Sequence, residues 1–374
     1  MSSKNYLDEP DLVTSFGNER TKKILHANPT IPVSREEATE VQISVFDFNG
    51  GSLHEHNFNK ISETFPFKEN SRITWINIDG IRKPDVEAIC GHYNIHPLII
   101  EDILSINQRP KMDDVEGVLF GLLNMLYFNE KNCTVEHEQI SIVLGKDFVI
   151  SFQEDASRDV FNPIRDKLQI ANSKIRQRGS DYLCYSLLDM IVDSYFLVME
   201  KLGEKIEDLE EEVVRASTPK SLVKINQLRK ELIVLKRNTA PVRELINGFM
   251  RSESDLLEER TIKYFKDIYD HIVQAYDLTD NYRDIMVSLQ DIYINNVNLK
   301  TNEIMKVIAI VTCLMAPATV IGGIFGMNFD RIPFLHNEYG FAIAVALMLI
   351  IPVWMVWGFR KRGWFRHIPR YRER

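Results

Sequence analysis

Two stretches near the C-terminal end of the chain are apolar on every face. Val307–Phe329 and Tyr339–Phe359 contain no charged residue, and each is roughly 20 residues or slightly longer, enough to cross a bilayer as a helix. A helix on the surface of a globular core keeps a polar face, so the pattern predicts two membrane spans joined only by Asp330–Glu338. Upstream, Leu257 to Phe325 contains a single proline, Pro317, and apolar residues recur at steps of three and four. Phe265, Ile268, Ile272, Ala275, Tyr282, Ile285, Leu289, Ile292 and Leu299 carry that stripe. It predicts one uninterrupted stalk helix running into the first span, on the order of 100 Å long at ~1.5 Å per residue.

The same periodicity predicts a helix over 180–215, through Leu183, Leu187, Met190, Tyr195, Leu202, Leu209 and Val213. Ser217-Thr218-Pro219-Lys220-Ser221 breaks it, with Ser221 as the expected cap of a second helix carrying Ile225, Leu228, Leu232 and Leu235. The first arm is acidic and the second basic, which reads as complementary solvated faces. Before residue 165 the period changes to that of strands: Val41–Val45, Ile73–Ile78, Gln139–Leu144 and Phe148–Phe152. Gly145-Lys146-Asp147 joins the last two as a hairpin. Helical segments Pro84–His92 and Pro97–Leu104 lie between the early strands.

The predicted organisation is a flexible arm over 1–38, an α/β domain over 39–165 and a helical hairpin region over 166–256. The stalk helix and first transmembrane helix follow over 257–329, then a loop over 330–338, a second transmembrane helix over 339–359 and a basic tail over 360–374.

Composition changes this picture little. The chain is 45% hydrophobic and 26% charged with a mean hydropathy of −0.17, so most of it lies outside any membrane. The net charge of −8 argues against nucleic acid as a partner, because phosphate binding needs a basic surface. The four cysteines form no CxxC pair and read as reduced thiols. The first residues lack the apolar stretch of a cleavable signal peptide. Charge does settle orientation: Arg360-Lys361-Arg362 and Arg366 follow the second span, whereas the connecting loop carries only Arg331. The positive-inside rule therefore puts both termini in the cytoplasm of a plasma (inner) membrane, with Trp354, Trp357 and Trp364 in an interfacial belt.

Two helices cannot enclose a polar path, so conduction requires several copies around an axis. On the first span Asn302, Met305, Ile308 or Ala309, Thr312, Ala316, Thr319 and Gly323 share one face. This small, mildly polar stripe either lines a pore or lets helices pack closely; spacing alone leaves both open.

The first span ends in Gly326-Met327-Asn328. Here the chain resembles the CorA family of magnesium and cobalt transporters, whose signature is Gly-Met-Asn at this place. Thr301-Asn302-Glu303-Ile304-Met305-Lys306-Val307, Pro317-Ala318-Thr319, Trp75–Gly80, Glu101–Leu104 with Gln108–Lys111, and Tyr269-Asp270-His271 are similar too. The resemblance covers roughly residues 40–365. It implies a funnel-shaped homopentamer that takes up Mg2+, and Co2+ as well, across the lipid bilayer. It places ion entrance at Gly326, Met327 and Asn328 and a hydrophobic constriction at Met305 and Ile308. It implies regulatory Mg2+ between protomers at Glu101, Asp102, Asp189 and Asp267, whose binding closes the channel. Magnesium dehydrates reluctantly, and a ring of Asn328 carboxamides offers neutral acceptors to its waters; Asn328 also suits a helix C-cap. One departure stands out. The family's outer loop usually reads Met-Pro-Glu-Leu, and here it reads Ile332-Pro333-Phe334-Leu335, leaving Asp330 and Glu338 to supply acidic charge.

Two other functions remain in view: a zinc transporter of the ZntB type, and a membrane-tethered scaffold or sensor that conducts nothing. No phosphate-cradling loop is present, and an enzyme is not expected. Cys90, His92 and His96 invite a zinc site but fit local packing better, and His54 and His56 read as surface residues.

Overall fold

The structure, a computed structural model, describes residues 37–106, 108–328, 332–333 and 337–364. The predicted arm lies outside these residues except for its last two positions, as do residues 365–374 of the tail. The described chain forms two compact units. One comprises residues up to Glu210 with Pro219–Ser288, the other Glu211–Thr218 with residues from Leu289 onward.

The first unit is built on a seven-stranded sheet. Its strands are β1 (Gln42–Phe48), β2 (Leu53–Phe58), β3 (Ile73–Asp79), β4 (Lys111–Val115), β5 (Val118–Asn129), β6 (Thr134–Leu144) and β7 (Phe148–Gln153). They lie in the order β2-β1-β3-β7-β6-β5-β4, with β3 and β7 parallel and every other neighbour antiparallel. The β6–β7 hairpin turns at Gly145–Asp147, where Gly145 N donates to Phe148 O at 2.9 Å.

Alternate residues of the strands face two separate cores. On one side Ile43, Val45, Ile76, Ile78, Phe120, Leu122, Val143, Ile150 and Phe152 pack with Val86, Ile89, Ile99 and Ile103. The latter come from α1 (Lys83–Tyr93) and α2 (Pro97–Leu104). On the other, Trp75 stacks on Phe46 at 4.9 Å and meets Phe161 edge-on at 5.9 Å, just ahead of α3 (Asn162–Gln169). Farther along that face lie α4 (Ser180–Arg215) and α5 (Pro219–Arg251). Tyr195 Oη donates to Asn124 O at 2.7 Å, and Asn124 Nδ2 donates to Asn238 Oδ1 at 2.7 Å.

Burial on both faces explains β5. Its sequence, VLFGLLNMLYFN, is nearly continuous in apolar residues and lacks the alternation that marks a half-exposed strand. Sequence pattern alone left it unassigned.

Asp79, at the end of β3, is only 5% exposed. Its carboxylate accepts from Asn77 Nδ2 and from Gln153 Nε2 at 2.7 Å. Burial, reinforced by Asp159, pushes its pKa from 3.8 to about 6.

Two helical details differ from expectation. Ser221 is not a cap: α5 begins at Pro219, and Ser221 is buried within its first turn. Proline suits a first helical position because its missing N–H would have no partner there. The long helix α6 runs unbroken from Glu259 to Phe325, 67 residues, but its buried stripe follows Phe265, Ile268, Ile272, Ala275, Thr279, Met286 and Leu289. Ile285 and Leu299, both expected in that stripe, are 37% and 49% exposed. Thr279 keeps the helical step because its hydroxyl donates to Ala275 O at 2.8 Å, so that hydroxyl is not left unpaired in the core.

Candidate ion path and metal site

Among the described residues three helices are long and apolar enough to cross a membrane: α4, α6 and α7 (Gly340–Lys361). They differ in what covers them. The apolar window of α4 is 61% buried, whereas those of α6 and α7 are 6% and 11% buried. The apolar surface of α4 is therefore already used within the chain.

Helices α6 and α7 pack on one another so closely that a Cβ added at Gly322 would lie 3.6 Å from Met348 Cε. The covered positions of α6 are Ile310, Leu314, Pro317, Ala318, Ile321 and Phe325, and those of α7 are Ala344, Met348, Ile351 and Met355. At ~100° per residue the covered side of α6 lies about opposite Met305, Ile308, Thr312, Ala316, Thr319 and Gly323. All of these are exposed, Met305 at 62% and Ile308 at 59%, and Asn302 is exposed too. The predicted stripe thus does not pack within its own chain. Its hydroxyls are also oriented: Thr312 Oγ1 donates to Ile308 O at 2.9 Å and Thr319 Oγ1 to Met315 O at 3.0 Å. Each spends its proton on its own helix and keeps acceptor lone pairs for an outside donor.

Beyond Phe325, Gly326 N donates to Gly322 O at 2.9 Å and Met327 N to Ile324 O at 3.3 Å. A Cβ on Gly326 would stand 3.0 Å from the Gly322 carbonyl oxygen, so this turn favours glycine by close approach. Neither Gly326 nor Asn328 takes positive φ. Asn328 is therefore not the left-handed cap residue; it lies exposed past the helix end. Asp330 and Phe334 lie outside the described residues, and Glu338 is exposed just before α7.

A second group forms in the first unit. Asp189 and Asp193 stand one turn apart on α4, as do Asp267 and His271 on α6. Ligand atoms of Asp189, Asp193 and His271 lie within 4.8 Å of one another. Burial raises the pKa of the Asp189 carboxyl, the charges of Asp193 and Asp267 add to this, and the Tyr185 hydroxyl (3.3 Å) and His271 oppose it. His271 Nδ1 is buried without a hydrogen-bond partner. Two carboxylates with an orphaned imidazole nitrogen fit a divalent cation: carboxylate oxygen suits Mg2+, and imidazole adds affinity for later first-row metals.

The sequence reading named Asp189 and Asp267 but missed Asp193 and assigned no role to His271. The available signal was the i, i+4 spacing on each helix, which puts both members on one face. Glu101 and Asp102 are not in this group. Asp102 Oδ2 takes Lys111 Nζ at 2.6 Å, and Lys111 also reaches Asp113 at 3.1 Å, so within one chain Asp102 is already paired. Near Cys90 the histidines have packing roles. His92 stacks on Phe65 at 4.1 Å, and His96 Nδ1 accepts from Leu98 N at the start of α2. His54 is exposed as expected, but His56 is half-buried, stacked on Phe58 at 5.8 Å.

Known proteins share this fold. The complete CorA magnesium transporter of Methanocaldococcus jannaschii matches 88% of this chain and all of its own, with a TM-score of 0.71 at 24% identity. The cytoplasmic domain of a Vibrio parahaemolyticus ZntB matches 70% of this chain and 99% of its own, with a TM-score of 0.55 at 15% identity. These likenesses define the class: an α/β domain carried together with long helices. The family profile described as "CorA-like Mg2+ transporter protein" matches residues 70–361. The cobalt/magnesium transport protein CorA of Thermotoga maritima is 38% identical over 326 residues, covering 87% of this chain and 93% of its own. The chain belongs to the CorA-like Mg2+ transporter family.

Proposed function

We propose that this chain is one protomer of a homopentameric channel that admits Mg2+, and Co2+ as well, through the inner membrane. The observation that carries the proposal is the stripe on α6. It is exposed, lies opposite the packed α7, and combines threonine acceptors with the apolar pair Met305 and Ile308. A bilayer would cover the apolar residues of such a face, but only apposed copies around an axis give the hydroxyl oxygens a hydrated cation to meet. Helices α6 and α7 then cross the membrane with both termini in the cytoplasm and residues 330–338 outside. Asn328 stands at the outer entrance with Gly326 and Met327, and Asp330 and Glu338 attract cations toward it. The names of the relatives support the choice of ion, and the Gly-Met-Asn sequence favours the magnesium and cobalt branch over a zinc transporter.

The membrane potential is worth ~2.3 kcal/mol per unit charge at ~100 mV, hence about twice that for a divalent ion, so inward flow needs no nucleotide. Cytosolic Mg2+ would bind at Asp189, Asp193, Asp267 and His271, and between protomers at Glu101 and Asp102, neutralising facing carboxylates and closing the channel.

The test is Mg2+ uptake into proteoliposomes under an inside-negative potential. Wild-type protein is expected to conduct, and Asn328→Ala to reduce uptake strongly while remaining assembled. Robust uptake by the variant would remove the entrance assignment, no uptake by wild type would favour a non-conducting scaffold, and faster Zn2+ than Mg2+ flux would favour the ZntB-type alternative.

A further inference from the structure

The cytoplasmic end of α7 is built with more definition than a helix fraying into water. Gly363 takes φ +74°, Gly363 N donates to Arg360 O at 3.2 Å, and Trp364 N donates to Phe359 O at 3.0 Å. These two bonds form a Schellman turn, and its usual apolar contact is present: Trp364 stacks on Phe359 at 4.9 Å with ring planes 14° apart. The turn holds Arg360, Lys361 and Arg362 at one level at the helix end. Among the described residues no acid pairs with any of the three. One and two turns back on the face away from α6 stand Trp357 and Trp354, 60% and 71% exposed. Lys361 Nζ lies 5.4 Å from the Trp357 ring centroid. One cation of the cluster therefore sits against an exposed aromatic ring, and the sequence beyond adds Arg366, Arg370, Arg372 and Arg374.

We infer that this end of α7 is a binding site for an anionic phospholipid, its phosphate at Arg360–Arg362 and its acyl chains along Trp354 and Trp357. Charge complementarity selects the headgroup, and the adjoining aromatic face selects a lipid over a free anion, which would leave that surface unmatched. The inference rests on α7 crossing a bilayer.

The test uses the full chain in vesicles containing phosphatidylglycerol or phosphatidylcholine with brominated acyl chains, read as quenching of tryptophan emission. Trp75 is wholly enclosed in the sheet core, so contact quenching reports Trp354, Trp357 and Trp364. Half-maximal quenching is expected at an about tenfold lower mole fraction of the brominated anionic lipid. Replacing Arg360, Lys361 and Arg362 together by Gln should bring the two lipids within about twofold, while Arg360→Lys with Arg362→Lys should keep the preference. Equal quenching of wild type by both lipids would overturn the site and leave the spanning helix intact. Loss of the preference on adding inorganic phosphate would make it a free-anion site and overturn the lipid assignment. Absence of quenching by either lipid would overturn the spanning reading itself.

Discussion

Replacing Asp193 by Asn should move two quantities in opposite directions. In the metal-free protein Asp189 and Asp193 present like charges whose ligand atoms lie within 4.8 Å. At that distance two unit charges repel by ~3.5 kcal/mol at an effective dielectric constant of ~20 and by ~0.9 kcal/mol at ~80. Asp193 is exposed, so solvent screening selects the lower end, about 1 kcal/mol. The variant should therefore be more stable than wild type without metal by about that amount. Protonation of Asp189 acts in the same sense. Its folded-state pKa is raised, so wild-type stability without metal should increase as pH falls through that pKa, and the variant should show less of this trend.

With Mg2+ the order reverses. The wild type gains stabilisation as the ion binds, and the variant, having lost one ligand oxygen charge, should gain less at every Mg2+ concentration. Thermal unfolding of the purified chain over a Mg2+ titration measures both, and Co2+ offers a second series that also reports His271. An unchanged Mg2+-induced shift in Asp193→Asn would show that this group does not hold the ion. Lower stability of the variant in chelator would show that the carboxylates do not repel as the geometry requires.

Asp79→Asn tests the sheet core. Because the carboxyl is moved from 3.8 to about 6, its wild-type contribution is full below pH 4 and is lost as pH rises to about 6, a difference of up to ~3 kcal/mol. The amide keeps an acceptor for Gln153 without the charge, so chemical unfolding should find the variant more stable at pH 7 and flatter between pH 4 and 6. Phe249 is wholly buried and stacks on Phe265 at 5.1 Å, tying α5 to α6. Phe249→Ala should cost ~3–5 kcal/mol in the same assay, and a loss below about 1 kcal/mol would mean that the stack contributes little.

Local chemistry made much of the chain legible. The β6–β7 turn, the limits of α4 at Ser180 and Arg215, and the unbroken α6 followed from turn residues and helical period, because both act between near neighbours. The Gly-Met-Asn tripeptide and its companions named the family from side chains in linear order. Strand β5 was hidden for a physical reason: burial on two faces erases the alternation that announces a strand. Ser221 misled because a good capping residue stood two places after a proline equally suited to begin a helix.

The two apolar stretches and their charged flanks were determined by sequence alone, since hydropathy and length need no partner. What the α6 stripe does not touch was settled only by the tertiary structure. Spacing showed that Thr312, Ala316 and Thr319 share a face; packing of α7 on the opposite side showed that this face is left uncovered within the chain. In the same way, sequence spaced Asp189 from Asp193 and Asp267 from His271, but each pair sits on its own helix. Only the packing of α4 against α6 brings those two helix faces together, because the approach of residues far apart in the chain is fixed by the shared core and by no local rule.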